Sequence, residues 1–235
     1  MKLPFSPELS PPGAVIGDPR VQAVLKRLHG AAAGQRLQIV RRFVPALLRG
    51  SLLRRRPSAE EMSEIAKDLY LPLSPEQGAL CYLVARALGA RRIVEFGTSF
   101  GISTIYFAAA VRDNGGGLVI GTELVPEKVA QARANLREAG LEAFAEIREG
   151  DALQTLQEPL GAIDMVLLDG WKDLYLPIIR MLGPQVRPGG VVIGDNIFTF
   201  KRDLAPYVAY MQDPANGFRS STLHLADGTE FSVRV

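Results

Sequence analysis

The sequence has few of the residues that build disulfide frameworks and zinc sites. Its 235 residues include one cysteine, Cys81, and two histidines, His29 and His224. A single cysteine rules out a disulfide framework, and so few sulfur and imidazole donors argue strongly against zinc. A chain of this length buries enough surface to fold without such links. The composition does not exclude a site in which Asp and Glu carboxylates bind a hard cation.

Long apolar runs are also missing. No stretch approaches the roughly 20 residues that a helix needs to cross a bilayer. The first residues, MKLPFSPELSPPG, place prolines where a signal peptide has an unbroken apolar segment. These features predict a cytoplasmic protein with no membrane partner.

Charge is distributed unevenly along the chain. Residues 1–56 hold 11 Lys/Arg and two acids, a charge of +9, and residues 57–235 hold the other 16 Lys/Arg and 23 acids, a charge of −7. The sum is the net charge of +2. A basic arm of this kind can bind nucleic acid, an anionic substrate, a membrane surface or the acidic body itself.

The first part of the chain has helical signals. Asp18-Pro19 reads as an N-cap followed by a first-turn proline, and it predicts a helix that ends near Gly30. A second helix is predicted from about residue 35 to residue 53, with an apolar stripe that includes Leu37. Ser58 and Ser74 begin two capping boxes. We therefore expect an N-terminal helical cap or arm over residues 1–70.

From residue 91 onward, short apolar runs alternate with helical periods. The predicted strands are Ile93–Phe96, Leu118–Thr122, Ala143–Arg148, Ile163–Leu168, Val191–Gly194, Ser221–Leu225 and Thr229–Val235. The predicted helices between them cover about 102–112, 126–139, 152–157 and 172–183. Such alternation indicates a parallel sheet covered on both faces, and Asp227-Gly228 indicates a closing hairpin. The prediction for residues 71–235 is an α/β domain with a doubly wound, Rossmann-like, mostly parallel seven-stranded sheet and an antiparallel C-terminal hairpin.

A carboxylate lies at or just after the end of five of these strands. They are Glu95, Glu123, Asp151, Asp169 and Asp195. Ligands of open α/β sheets bind beyond the carboxyl ends of the strands, and clustered carboxylates need cations or hydrogen-bond donors. Each acid alone could instead cap the helix that follows it.

A glycine loop joins the first strand to its helix. Gly97 and Gly101 would let a ligand approach the backbone, but their G-x-x-x-G spacing differs from the G-x-G-x-x-G of dinucleotide enzymes. Glu123 ends the second strand, where α/β enzymes place a carboxylate that binds ribose hydroxyls. It could also stabilise the helix that begins near Pro126.

Two sets of motifs resemble a known family. Residues 95–101, Glu123 and Gly150-Asp151 resemble the adenosine-binding half of class I S-adenosylmethionine-dependent methyltransferases. Residues 163–175 (IDMVLLDGWKDLY) and 190–196 (GVVIGDN) are similar to cation-dependent O-methyltransferases, the family of catechol and caffeoyl-CoA O-methyltransferases. Residues 73–78 and 226–228 fit as well, so the resemblance covers about residues 70–235. It implies that residues 71–235 form a class I methyltransferase domain.

The resemblance implies a magnesium site and a catalytic base. Asp169, Asp195 and Asn196 would bind Mg²⁺ or another divalent cation, and three hard oxygen donors suit such an ion. Asp195-Asn196 could instead only turn the chain. Lys172 would be the catalytic base beside Asp169. A lysine can serve as a base only if its own pKa is lowered. Trp171 would form one side of the substrate-binding slot, or it could have only a packing role.

The resemblance also implies a binding site for S-adenosylmethionine. Glu95, Gly97, Ser99 and Ser103 would line its methionyl side, and Glu123 would bind the ribose. The other residues expected to border the cofactor are Leu73, Asp151, Ala152, Asp169 and Trp171.

The predicted activity is Mg²⁺-dependent methyl transfer to one oxygen of a vicinal dihydroxy small molecule of the catechol type. Three alternatives stay open: methylation of a hydroxylated tRNA base, an NAD-dependent oxidoreductase, and a non-catalytic binding module. The basic arm is expected to cap the active-site mouth and to help form a homodimer, because its apolar stripe suits packing better than nucleic-acid binding.

Overall fold

The computed structural model describes residues 14–35 and 73–235. In this part of the chain one sheet of seven strands has the order β3-β2-β1-β4-β5-β7-β6. The strands are β1 (Arg92–Phe96), β2 (Leu118–Glu123), β3 (Ala145–Glu149), β4 (Ile163–Leu168), β5 (Val186–Gly194), β6 (Phe218–Leu223) and β7 (Thr229–Arg234). The α-helices are α1 (Pro19–Gly34), α2 (Pro75–Ala87), α3 (Ile102–Asp113), α4 (Pro126–Glu138), α5 (Ala152–Thr155), α6 (Tyr175–Leu182) and α7 (Lys201–Gln212).

The first five strands are parallel, and the last two are antiparallel. β1 pairs in parallel with both β2 and β4, while β7 runs antiparallel between β5 and β6. The order reverses between β1 and β4, which is the point where ligands of doubly wound sheets bind. The predicted fold class is confirmed.

Helices cover both faces of the sheet. The core on one face includes side chains of α1, α2, α3 and α4, with α1 lying on α3 and α4, and every residue of α3 from Ile102 to Val111 is buried. The other face packs against α5, α6 and α7. Because apolar side chains of the central strands point into both layers, these strands read as continuous apolar runs in the sequence.

The described part of the basic arm lies on the body. Asp18 accepts from the N–H of Arg20 as the N-cap of α1, and it also pairs with Arg112 of α3 at 2.6 Å. Arg20 donates to the carbonyls of Arg137 and Glu138 at the end of α4, and Arg27 pairs with the carboxylate of Glu138 at 2.6 Å. Of the four binding partners suggested for the basic arm, the acidic body is therefore the one that α1 contacts.

Several predicted boundaries need correction. α1 continues to Gly34 rather than ending near Gly30. The predicted helix over 172–183 is a 3₁₀ turn, Lys172–Leu174, followed by α6. β5 begins at Val186 rather than Val191, and β6 covers Phe218–Leu223 rather than Ser221–Leu225.

Helix α7 was not predicted from the sequence. It begins after Phe200, which makes no side-chain cap hydrogen bond, and it contains Pro206. Both features normally argue against a helix. The helix is held by packing, because Leu204, Tyr207 and Met211 on one face are buried against the sheet.

Some predictions fall outside the described residues. These are the helix over 35–53 and its stripe at Leu37, the capping box at Ser58, and the placement of the arm over the active-site mouth. The domain boundary at residue 70 and the homodimer stay predictions. Within residues 14–35 and 73–235, no helix is long and apolar enough to cross a membrane.

Candidate active site

The candidate site lies at the edge of the sheet where the five parallel strands end. Glu95 is on β1, Glu123 ends β2, Asp151 follows β3, and Asp169 and Asp195 follow β4 and β5. Since the carboxyl ends of parallel strands meet at one edge, the fold gathers all five carboxylates there. The N–H of Asp169 donates to the carbonyl of Phe96, and that of Asp195 donates to Leu168, which extends the ladder into the site.

Glu95 is fully buried next to several hydroxyl groups. The hydroxyls of Thr98 and Thr104 donate to its Oε2, whereas its Oε1 has no hydrogen-bond partner. Burial raises the pKa of Glu95, although the neighbouring hydroxyls of Ser103, Thr104 and Thr98 act in the opposite direction. A buried carboxylate oxygen without a partner is costly, so this oxygen is suited to a hydrogen-bond donor of a bound ligand.

Ser99 and Glu123 connect the loops after β1 and β2. The backbone N–H of Ser99 donates to Oε2 of Glu123 at 2.8 Å, and that of Val125 donates to Oε1 at 2.9 Å. The second bond supports the predicted role at the start of α4, because Val125 is its N-cap. A carboxylate offers about four acceptor positions, so Glu123 retains capacity for ribose hydroxyls. Ser99 Oγ is buried without a hydrogen-bond partner, and its backbone has a positive φ of 49°.

The glycines of the first loop make room for the protein itself. A Cβ on Gly97 would lie 2.7 Å from backbone atoms of Asp169 and Gly170, and one on Gly101 would lie 3.2 Å from Cβ of Ala132. The sequence interpretation, that these glycines open the backbone to a ligand, is therefore incomplete. Gly97 lets the end of β1 approach the residue that follows β4, and so it helps to place Asp169.

The other predicted cofactor residues differ in their surroundings. Asp151 caps α5 by accepting from the N–H of Leu153 at 2.9 Å, and Ala152 is buried. Ser103 is buried beside Glu95 in the first turn of α3. Leu73 is 2% exposed and belongs to the core on the α2 and α3 face. Its predicted contact with a cofactor stays a prediction.

Lys172 lies between the ends of β4 and β5. Its Nζ donates to Oδ1 of Asn196 at 2.6 Å and to the hydroxyl of Tyr175 at 2.8 Å, and it lies 3.5 Å from Oδ1 of Asp169. The side chains of Lys172 and Asp169 are each 12% exposed. The structure thus joins the predicted base to two of the three predicted metal ligands.

Asp195 and Asn196 form the other half of this cluster. The amide nitrogen of Asn196 donates to Oδ2 of Asp195 at 2.9 Å. Asn196 has a φ of 63°, a left-handed conformation that Asn tolerates better than most residues. Nε2 of Gln77, the third residue of α2, donates to Oδ1 of Asp195 at 2.5 Å.

Burial shifts the pKa values of the cluster. It raises the pKa of Asp169 to about 8, with Lys172 opposing the shift and Asp195 and Glu95 adding to it. It also raises the pKa of Asp195, while the hydrogen bonds from Asn196 and Gln77 oppose this shift. The pKa of Lys172 is lowered by burial, although Asp169 and Asp195 act to raise it. Burial is the largest cause of both raised pKa values, and Lys172 opposes the shift at each aspartate.

Aromatic rings enclose the lysine. Its Nζ lies 5.0 Å from the ring centroid of Tyr175 and 5.6 Å from that of Phe200. Phe200 is 36% exposed and Phe198 is 40% exposed, so the loop after β5 presents apolar surface at the mouth of the site. Trp171 is half-buried and packs against the core on the α6 face. This contact agrees with the packing role and leaves the substrate-wall role a prediction.

Sequence reasoning did not assign roles to Gln77, Tyr175 and Phe200. Gln77 was recognised only as part of the capping box, which is present. Its contact with Asp195 joins residues 118 positions apart, and no local pattern encodes it. Among the described residues, no group of three or more His, Cys, Asp and Glu could hold a metal ion. The predicted ligand set differs from such groups because it combines two carboxylates with one amide.

Comparisons with known proteins find similarity to methyltransferases. A family model described as a methyltransferase domain matches residues 94–197. A catechol O-methyltransferase of Niastella koreensis is 34% identical over 131 residues, which are 54% of this chain and 58% of that protein. The caffeoyl-CoA O-methyltransferase 2 of Zea mays is 29% identical over 76% of this chain and 70% of that protein. The match to the Niastella protein thus spans less than two thirds of its length.

A solved structure extends the likeness to most of the fold. The O-methyltransferase TomG of Streptomyces achromogenes, which was crystallised with S-adenosylmethionine, matches with a TM-score of 0.66 at 25% identity. The match covers 83% of this chain and 97% of TomG. The fold is therefore similar to that of a solved methyltransferase. In sequence, the chain is similar to catechol and caffeoyl-CoA O-methyltransferases over parts of its length.

Proposed function

We propose that this protein is an S-adenosylmethionine-dependent O-methyltransferase. The substrate would be a small molecule with vicinal oxygens, most simply an ortho-dihydroxy aromatic compound, and a divalent cation such as Mg²⁺ would take part. One observation carries the proposal: Asp169, Lys172, Asp195 and Asn196 meet at the ends of β4 and β5, beside the switch point of the sheet. Similarity to catechol and caffeoyl-CoA O-methyltransferases supports the methyl-transfer chemistry.

The donor set fits a hard cation. Asp169, Asp195 and Asn196 offer carboxylate and amide oxygens, which Mg²⁺ prefers. Burial raises the pKa of both aspartates, and a cation bound between them would favour their ionised forms, as Lys172 does in part. A bound divalent cation would chelate the acceptor oxygens and lower the pKa of the one to be methylated.

Lys172 would act as the general base. Burial lowers its pKa, which favours the neutral amine that a base requires. The Tyr175 hydroxyl and Asn196 fix the direction of Nζ, and the ring of Phe200 limits its access to water. Lys172 would take the proton of an acceptor hydroxyl held at the mouth of the site.

The ends of β1, β2 and β3 would bind S-adenosylmethionine, which supplies the methyl group from its sulfonium centre. Oε1 of Glu95 and the hydroxyl of Ser99 are both buried without a hydrogen-bond partner, and they suit the polar methionyl end of the cofactor. Glu123 and Asp151 lie on the neighbouring strand ends, where ribose and adenine would extend. Holding donor and acceptor at near-attack distance would supply much of the rate.

An acceptor panel tests the proposal. Full-length protein with S-adenosylmethionine and Mg²⁺ would be given a catechol acid, the matching monophenol, a thioester-linked catechol and tRNA, and mono-methylated products would be measured by mass spectrometry. We expect methylation of the vicinal diols and at least 100-fold less of the monophenol, because one oxygen cannot chelate. Methylation of tRNA alone would favour the nucleic-acid alternative, and NADH binding without methyl transfer would favour the oxidoreductase alternative.

A further inference from the structure

Gln77 has two separate sets of hydrogen bonds. Its backbone N–H and its side-chain Oε1 complete the capping box with Ser74, at 3.2 and 3.0 Å. Because Oε1 accepts from the N–H of Ser74, the amide group is oriented with Nε2 pointing away from the helix cap. The cap does not use Nε2, which donates to Oδ1 of Asp195 at 2.5 Å and to Oγ1 of Thr229 at 3.3 Å. Gln77 is 5% exposed, so little water competes for these contacts.

The orientation of this amide continues through the cluster. With Oδ1 of Asp195 occupied by Gln77, Oδ2 accepts from the amide nitrogen of Asn196. That bond turns Oδ1 of Asn196 toward Lys172, where it accepts from Nζ. Each hydrogen bond therefore fixes which atom of the next side chain faces the centre of the site.

We infer that Gln77 is a positioning residue for the cation site, which it serves by holding the carboxylate of Asp195 in the orientation that lets Asp195 and Asn196 act together. The inference rests on the proposed function, since it concerns the cation of that same site. Groups that hydrogen-bond to metal ligands orient them, and their loss typically lowers metal affinity about 10–100-fold. Gln77 would contact neither substrate nor cofactor in this role.

The test compares Gln77→Met with Ser74→Ala. Methionine has nearly the shape of glutamine but cannot donate to Asp195. Ser74→Ala removes the other capping hydrogen bond and leaves the Gln77 to Asp195 contact in place. Mn²⁺ would be titrated into each full-length protein without acceptor and followed by electron paramagnetic resonance, and affinity for S-adenosylhomocysteine would be measured by calorimetry.

We expect Gln77→Met to weaken Mn²⁺ binding about 10–100-fold. Ser74→Ala should bind Mn²⁺ like the wild type, and both variants should retain affinity for S-adenosylhomocysteine. Wild-type affinity for Mn²⁺ in Gln77→Met, or equal weakening in both variants, would overturn the inference while leaving the proposed function intact. Failure of the wild type to bind Mn²⁺ would overturn the cation site itself, and the inference with it.

A measurement on the wild type covers the case in which Gln77→Met does not fold. The side-chain NH₂ resonances of Gln77 would be followed by NMR during a Mg²⁺ titration. The chemical shifts of these resonances should change along the same binding curve as Mg²⁺ occupancy of the site, because Nε2 is hydrogen-bonded to a predicted metal ligand. Gln22 is the matched control. Its Nε2 also makes a short hydrogen bond, to the carbonyl of Ile16 at 2.5 Å, but neither residue belongs to the candidate site. Gln77 resonances that do not respond, in a protein that binds Mg²⁺, would overturn the inference.

Discussion

Nζ of Lys172 donates to Oδ1 of Asn196 at 2.6 Å. The candidate base thus uses the amide oxygen that is also a candidate metal ligand, and the same ammonium lies 3.5 Å from Asp169. Lys172 therefore partly neutralises the cluster. A bound cation would replace this neutralising charge and would disfavour the ammonium beside it, so that Lys172 would be available as the neutral amine that a base requires.

Replacing Lys172 with methionine should separate these two roles. Turnover at neutral pH should fall by about 10²–10⁴-fold, as is typical when a general base is lost, and part of it should return at higher pH where the acceptor ionises unaided. Affinity for Mg²⁺ should rise, because a positive charge beside the ligands is gone. Steady-state pH profiles and calorimetric Mg²⁺ titrations measure the two effects.

The control for this experiment is Lys26→Met, which changes an exposed lysine on α1. It should alter neither property. A Lys172→Met enzyme with the wild-type pH profile would remove Lys172 from the proton transfer.

Replacing Asp195 with alanine should separate the metal and cofactor sites. Turnover and its dependence on Mg²⁺ should disappear, whereas affinity for S-adenosylmethionine should change little, since Glu95, Ser99 and Glu123 are untouched. Calorimetry with cofactor and with metal tests this, and the exposed Glu158→Ala is the control. Equal loss of both affinities would show that the two sites are one unit.

The raised pKa of Asp169 predicts how stability depends on pH. In the folded protein this carboxyl has a pKa of about 8, against 3.8 as its ordinary value. Between these values the folded state holds a proton that the unfolded state releases, so the contribution of Asp169 to stability falls as pH rises from about 4 through 8. Because Mg²⁺ binds the ionised form, it should raise the melting temperature more at pH 8.5 than at pH 6.

Thermal melts with MgCl₂ and with NaCl of equal ionic strength check this expectation. The protein with Asp195→Ala should show no difference between the two salts at either pH. A Mg²⁺ effect that is larger at pH 6 than at pH 8.5 would contradict the assignment of Asp169 as a ligand.

Asp164, at the start of β4 and so at the opposite end of the strands from the site, predicts the opposite pH dependence of stability. Burial alone would raise the pKa of Asp164, but hydrogen bonds from Arg187 and from the N–H groups of Arg91 and Arg92 lower it below 3.8. Stability from this group is therefore present above pH 3.8 and is lost as pH falls through the lower, folded-state pKa. Asp164→Ala should cost about 2 kcal/mol at pH 7, within the range for hydrogen bonds to charged groups.

Urea unfolding at pH 7 and at pH 3 measures this cost, which should shrink at the lower pH. The matched control is Glu146→Ala, which removes an exposed pair with Arg148 and should cost only about 0–1 kcal/mol. Turnover should not change in either variant. A cost for Asp164→Ala that is the same at both pH values would contradict the charge-based account.

Features of the fold that depend on local chemistry could be predicted from the sequence. Asp18 before Pro19 and the capping box at Ser74 both mark helix starts, because a cap needs only side chains within four residues. The strand-end carboxylates were also found, since parallel strands place their ends at one edge. In contrast, α7 was missed because packing of Leu204 and Tyr207 outweighs its poor local signals.

The parts of the site that could not be predicted depend on contacts between distant segments. Gln77 reaches Asp195 across 118 positions, and Gly97 is required because the backbone of Asp169 lies against it. A periodicity or a motif gives no information on such distances. The sequence therefore predicted which residues lie at the strand ends, and the structure was needed to show which of them are in contact.

The most direct test of the account is methyl transfer by the wild-type protein before and after removal of divalent cations. Full-length protein, S-adenosylmethionine carrying a labelled methyl group and a catechol acid would be incubated after exhaustive chelation, and then with excess Mg²⁺. The account predicts no labelled product after chelation and full recovery with Mg²⁺, with the label on a single oxygen of each product molecule. Turnover that is unchanged by chelation would contradict it.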